Sequence, residues 1–218
     1  MDYGREISPK EMIVNYEGRE IRYFNQTSSD WTHPYEYQGD GSNLHKAGCG
    51  IFSMGFAIQW MNGIGVDIEE LADFSCKCGG RGDDGTDRPA LLGGMVRAGL
   101  DAKYRFRYDG DGLINDHAKL WEALSNGGCA LLNLRVGHIV AAVACREAGG
   151  EKQILVIDSA CESADRRVRD MVREVAPDSA VAYRIRNKDG IELGMGISHG
   201  IYWAPLRYAM DFNLLYKR

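Results

Sequence analysis

A cysteine between two glycines, Gly48-Cys49-Gly50, opens a run of residues that is typical of a helix. A thiol at a helix N-terminus lies at the positive end of the helix dipole and close to unpaired backbone N–H groups. Both favour the thiolate, which is the nucleophilic form of cysteine. Gly48 has no side chain that would shield the sulfur from a substrate. We therefore predict that Cys49 is a nucleophile; the alternative is a structural cysteine buried in an apolar helix.

A nucleophilic cysteine requires a general base, and histidine is the usual one. His138 is the best candidate among the five histidines, because it follows Gly137 and opens an apolar strand. Asp158 ends the next predicted strand. If these two strands pair across their short connection, Asp158 lies beside His138 and can orient its ring. The alternatives are an ordinary strand histidine and an aspartate in a turn.

Acyl transfer also requires hydrogen-bond donors for the oxyanion. The backbone N–H of Cys49 can supply one. Gln26 directly follows the predicted strand 20–24, and its side-chain amide can supply the other; the alternative is a polar loop residue. His199 is a second candidate base, although it comes late in the chain.

The elements that position these residues begin with a hairpin. Residues 11–16 and 20–24 are predicted as two strands around a turn. Residues 27–47 show neither a helical nor a strand period and are predicted as a long loop. The helix that starts at Cys49 should run to about Asn62 and end before Gly63. Because it is apolar on nearly all sides, we expect it to be buried.

Further helices precede a run of antiparallel strands. Helices are predicted over 67–76, with Asp67 as the N-cap, and over 88–98, 115–125 and 162–175, with an exposed loop over 79–85. Strands are predicted over 103–108, 129–134, 138–146, 153–158, 181–186, 191–193 and 201–203. The short connections between 129 and 158 indicate an antiparallel meander. We predict an α+β fold in one domain spanning residues 1–218.

Composition excludes several classes of protein. The net charge of −5 over 218 residues argues against a nucleic-acid surface, and no apolar run is long enough to span a membrane. The chain is too large to need disulfides, so we expect the six cysteines to be reduced. The first residues do not form a signal peptide. A cytoplasmic location is expected, or a secreted one if a signal has been removed.

The order of the motifs resembles the papain-like cysteine peptidases. The matching motifs are Tyr23-Phe24-Asn25-Gln26, Gly48-Cys49-Gly50, Gly137-His138-Ile139-Val140 and Val156-Ile157-Asp158. More narrowly, the chain resembles the double-glycine-leader (bacteriocin-processing) peptidases and their stand-alone relatives. The resemblance covers residues 20 to 160. Two positions depart from it: Ile51-Phe52 follows Gly50 where many relatives have proline, and Ser159 follows Asp158 where many have proline.

The resemblance implies a role for each candidate residue. Cys49 would be the nucleophile, His138 the base, Asp158 its orienter and Gln26 the oxyanion donor. It also implies a papain-like fold, in which a helical N-terminal part places the cysteine-bearing helix on a C-terminal antiparallel sheet. No transporter-type segment is recognisable, so a free-standing enzyme is expected.

We therefore expect a cysteine peptidase that acts on a peptide or protein. The same residues could serve an amidase, an isopeptidase or an acyltransferase. A different alternative is a non-catalytic module that binds peptides through the aromatic loop containing Trp31, Tyr35 and Tyr37. No cofactor or metal is expected, because Cys76-Lys77-Cys78 is spaced too tightly for zinc and has no second pair. Cys161 could approach the site, because it follows Asp158 by three residues.

Overall fold

The computed structural model describes residues 10–134, 138–160, 181–186, 192–198 and 200–218. Its helices are α1 (Leu44–Ala47), α2 (Cys49–Asn62), α3 (Ile68–Cys78), α4 (Arg88–Arg97), α5 (Leu100–Lys103) and α6 (His117–Ser125). Its strands are β1 (Glu11–Tyr16), β2 (Arg19–Phe24), β3 (Arg81–Gly82), β4 (Gly85–Thr86), β5 (Phe106–Gly112), β6 (Cys129–Leu134), β7 (His138–Ala148), β8 (Glu151–Ile157), β9 (Val181–Arg186), β10 (Glu192–Ser198), β11 (Ile201–Pro205) and β12 (Ala209–Lys217).

Six of these strands form one antiparallel sheet in the order β11-β8-β7-β6-β12-β5. The meander predicted from the sequence is confirmed, since β7 pairs with β6 on one side and with β8 on the other. Strand β12, which lies between β6 and β5, was not predicted from the sequence. Separately, β9 pairs with β10 in a hairpin.

Helix α2 lies on one face of this sheet and contacts β6 and β7. Its residues from Gly50 to Ile58 are all buried, as its apolar sequence predicts. Gly63 ends the helix with φ +65°, a left-handed conformation that glycine adopts without strain. The predicted start and end of α2 are therefore confirmed.

The opposite face of the sheet is also covered. Leu120, Ala123 and Leu124 of α6 are buried there in a second apolar cluster. The predicted α+β class is confirmed: helices from the N-terminal part of the chain pack against a six-stranded antiparallel sheet from its C-terminal part.

The predicted β1–β2 hairpin is present, and Val14 lies opposite Ile21 in it. Its turn residues Glu17 and Gly18 both have positive φ, +48° and +79°. Two consecutive left-handed residues form the type of tight turn that matches the twist of a hairpin. Strand β2 contacts α2, and Gln26 follows the end of β2 by two residues.

The exposed loop expected over residues 79–85 is present only in part: Asp83 and Asp84 form an exposed turn, but the residues on either side of it are paired. The structure has the short β3–β4 hairpin there, and Arg81 is only 5% exposed. Its guanidinium group donates to the Asp40 carboxylate at 2.7 Å and to the Tyr35 carbonyl at 3.0 Å. These partners lie in the preceding long loop, so local sequence could not indicate the burial of Arg81.

Smaller differences concern the ends of elements. The predicted loop 27–47 contains α1, capped by the Asn43 side chain, and α3 extends to Cys78 from the predicted N-cap. The strand predicted over 103–108 starts instead at Phe106, because α5 occupies the preceding residues. The predicted helix 162–175, Cys161 and His199 lie outside the described residues. Within those residues, no helix combines the length and the apolar character that crossing a membrane requires.

Candidate active site

Cys49 is the first residue of α2 and is half-buried. The backbone N–H groups of Gly50 and Ile139 act to lower the pKa of its thiol. The first belongs to the free N–H groups of the helix N-terminus, and the second comes from β7. The thiol therefore lies where the helix dipole and two backbone donors stabilise negative charge.

The glycines on either side of Cys49 are required by close packing. A Cβ on Gly48 would lie 2.5 Å from the Leu44 carbonyl oxygen, and one on Gly50 would lie 2.5 Å from the Cβ of Thr86. Neither contact can be accommodated without a shift of the backbone or of the β4 strand. The two glycines thus allow the N-terminus of α2 to pack closely against α1 and β4. From the sequence, we expected Gly48 instead to leave the sulfur accessible to a substrate.

His138 opens β7 and is 8% exposed. Its Nε2 atom lies 2.7 Å from Oδ1 of Asp158, which directly follows β8. The pairing of Ala141 with Ile157 brings the end of β8 beside the start of β7. The contact predicted from strand spacing is present. Because Nε2 faces Asp158, Nδ1 is the ring nitrogen that can hydrogen-bond to the sulfur of Cys49.

Asp158 is completely buried and fully hydrogen-bonded. Besides His138, its carboxylate accepts from the Ala160 N–H at 2.8 Å and from the Tyr202 hydroxyl at 3.1 Å. The hydroxyl of Tyr23 donates to the backbone carbonyl of Asp158. Burial raises the pKa of this carboxyl, but the charge and hydrogen bond of His138, together with the other donors, bring the pKa below its usual value.

The pKa values of the other two residues move in opposite directions. Burial lowers the pKa of His138, but the charge and hydrogen bond of Asp158 and the contact with Cys49 raise it well above its ordinary value. Burial raises the pKa of Cys49, but the hydrogen bond and charge of His138 outweigh it and lower the pKa. Both shifts favour a thiolate–imidazolium pair, which is the reactive form of a cysteine nucleophile.

Gln26 is buried between the segments that carry the other candidates. Its Oε1 atom accepts from the Ser159 hydroxyl at 2.9 Å, and its backbone N–H donates to the Ser159 carbonyl. Its Nε2 atom donates to the carbonyl of His45 at 3.2 Å, and the His45 ring contacts the Gln26 carbonyl. One side of Gln26 thus adjoins the residue after Asp158, and the other adjoins the segment that leads into Cys49.

The structure also shows polar residues around the site that sequence reasoning missed. Ser53, Tyr202 and Ser159 are buried, and each donates to a candidate residue or to its backbone. No sequence motif indicates Ser159 or Tyr202. Ser53 could have been predicted to lie near the site, because residues four apart in a helix lie on the same side and Ser53 follows Cys49 by four.

The other predicted features lie away from these contacts. Of the aromatic residues named in the loop 27–47, Trp31 and Tyr35 are 1% and 0% exposed and belong to the core, whereas Tyr37 is half-buried. Cys76 is exposed, and the half-buried Cys78 packs against Gly94. Within the part of the chain that the structure describes, no three histidine, cysteine or acidic side chains come together as potential metal ligands.

Comparison of the chain with protein-family models gave no match, and comparison with curated proteins gave no significant match.

Proposed function

We propose that the chain is a cysteine peptidase of the papain-like type that forms an acyl-enzyme on Cys49. The observation that carries the proposal is the hydrogen bond between His138 and the buried Asp158, together with Cys49 at the start of α2, whose pKa His138 lowers. A nucleophile, a base and an orienting acid in contact are the arrangement that thiol hydrolases require. The position of α2 over an antiparallel sheet that carries His138 supports the papain-like assignment.

In the proposed reaction, His138 takes the proton of Cys49, and Asp158 stabilises the resulting imidazolium. The thiolate attacks the carbonyl carbon of a peptide, and the carbonyl oxygen gains the negative charge. His138 then protonates the leaving amine as the C–N bond breaks and the thioester forms. Water, deprotonated by His138, attacks the thioester; the acid product leaves, and Cys49 regains its proton.

The oxyanion would be bound by the backbone N–H of Cys49 and by the amide of Gln26. A primary amide carries two N–H donors, and His45 accepts from the Gln26 amide nitrogen. The other N–H can serve the oxyanion. Because Ser159 holds the amide oxygen, the orientation of the Gln26 side chain is set before substrate binds.

The alternative is a peptide-binding module that uses the aromatic loop containing Trp31, Tyr35 and Tyr37. Of these residues, Trp31 and Tyr35 are buried in the core and Tyr37 is half-buried. A binding module also has no use for a thiol whose pKa is lowered by a histidine.

The test is turnover of a fluorogenic peptide library by the intact chain, the Cys49→Ala variant and a Cys145→Ala control. Cys145 is another half-buried free cysteine, with contacts to Ser125 and Trp121. We expect hydrolysis by the parent and the control but not by Cys49→Ala. Iodoacetamide at pH 6 should modify Cys49 first. Absence of hydrolysis by the folded parent, with Cys49 alkylated no faster than Cys145, would refute the proposal.

A further inference from the structure

Ser53 is a fully buried polar residue in an otherwise apolar stretch of α2. Its hydroxyl oxygen lies 2.7 Å from the Cys49 carbonyl oxygen, one turn earlier in the same helix. It also lies 3.0 Å from the carbonyl oxygen of Ile139. The single hydroxyl proton is therefore shared between the helix that carries the nucleophile and the strand that carries the base.

The backbone of Ile139 faces the first turn of α2. Its carbonyl accepts from Ser53, and its backbone N–H acts to lower the pKa of the Cys49 thiol. Ile139 directly follows His138, so any shift of this peptide moves the histidine relative to the sulfur. The other buried side chains of α2 share one apolar core with Ala141 and Val143 of β7. Apolar contacts do not define a register as sharply as a directional hydrogen bond.

We propose that Ser53 is a positioning residue that holds the Ile139 peptide against the first turn of α2 and so sets the contact between Cys49 and His138. This inference rests on the proposed function, since it concerns the reactivity of the same thiol. Ser53 does not touch the substrate; it acts through the backbone that flanks the base. Its removal should therefore change how readily the thiol ionises rather than how tightly a peptide binds.

The test is the pH dependence of Cys49 alkylation by iodoacetamide, read at each cysteine by peptide mass spectrometry. In Ser53→Ala we expect the midpoint of the Cys49 profile to rise by about one pH unit, which is about a 10-fold slower reaction at a pH below both midpoints. The plateau rate at high pH should stay the same. With the preferred peptide, kcat should fall while KM stays close to that of the parent. Alanine is favourable inside a helix, so α2 itself should be retained.

Ser75→Ala is the matched control. Ser75 is also a fully buried helical serine, but its hydroxyl contacts the hydroxyl of Tyr35 instead of the site. We expect its alkylation profile to match that of the parent. A second pair, Ser53→Thr and Ser53→Val, keeps the test valid if Ser53→Ala does not fold. Threonine and valine share a shape and differ in the hydroxyl, so only the valine variant should show the shift.

The outcomes separate this inference from the proposed function. A parent protein with a low midpoint at Cys49, together with the same midpoint in Ser53→Ala, would overturn the role of Ser53 alone. Threonine and valine variants that shift equally would overturn it as well. A parent protein whose Cys49 reacts like an ordinary thiol would instead overturn the proposed function.

Discussion

Replacement of Asp158 by asparagine tests the electrostatics of the site with little change in shape. The carboxylate is completely buried and accepts hydrogen bonds from His138, Ala160 and Tyr202. In Asp158→Asn, the amide oxygen can still accept from the first two, and the Tyr202 hydroxyl can turn to accept from the new N–H group. The main loss is the negative charge beside the imidazolium.

The size of the effect follows from that charge. Hydrogen bonds to charged groups contribute about 1.5–3 kcal/mol, compared with about 0.5–1.5 kcal/mol for neutral pairs. The difference of about 1–1.5 kcal/mol corresponds to about one pKa unit. Without the charge, the pKa of His138 falls and that of Cys49 rises, so fewer molecules carry the thiolate in acid. At a pH below both midpoints, we expect Cys49 to alkylate about 10-fold more slowly than in the parent.

The assay is the alkylation profile from pH 4 to pH 10 in the parent, Asp158→Asn and Asp67→Asn. Asp67 caps α3 by accepting from the N–H groups of Glu69 and Glu70, and asparagine caps helices equally well. The control profile should therefore match that of the parent. An unchanged midpoint in Asp158→Asn would show that the carboxylate charge does not act on Cys49 and would refute the reasoning.

Three further predictions concern packing, the oxyanion and acid stability. Gly50→Ala should lower the free energy of unfolding by about 1–3 kcal/mol in urea titrations, because its Cβ meets Thr86; Gly65→Ala, in open space, should be neutral. Gln26→Ala should lower kcat about 100-fold with the preferred peptide, and a variant as active as the parent would remove Gln26 from the oxyanion hole. Because folding lowers the pKa of Asp158, the unfolded chain binds more protons in acid, so the free energy of unfolding should fall as the pH drops below about 5. A urea midpoint equally acid-sensitive in Asp158→Asn would contradict this.

The sequence predicts those parts of the fold that local pattern controls. Helix α2 could be predicted because a long apolar run ends at a left-handed glycine. The contact between His138 and Asp158 could be predicted because two adjacent strands with a short connection must pair in antiparallel fashion.

Features that depend on distant segments could not be predicted in this way. The burial of Arg81 depends on Asp40 and on the carbonyl of Tyr35, which lie far away in the chain. The hydrogen bond from Tyr202 to Asp158 requires β11 to pair with β8, and nothing near either residue indicates that pairing. The polar contacts that surround the site are therefore the part that the structure adds.

The position of β12 has a consequence for how the protein folds. Strand β6 is the next strand after β5 in the chain, with only α6 between them. The two strands nevertheless do not pair with each other, because β12 lies between them in the sheet. During synthesis on a ribosome, β5 cannot join the sheet until β12 has emerged from the exit tunnel. Pairing over such long sequence separations is slow, since the chain loses entropy before the contacts form. We expect Cys49 in a nascent chain that lacks β12 to behave as an ordinary thiol, so that reactivity arises only after this late strand has docked.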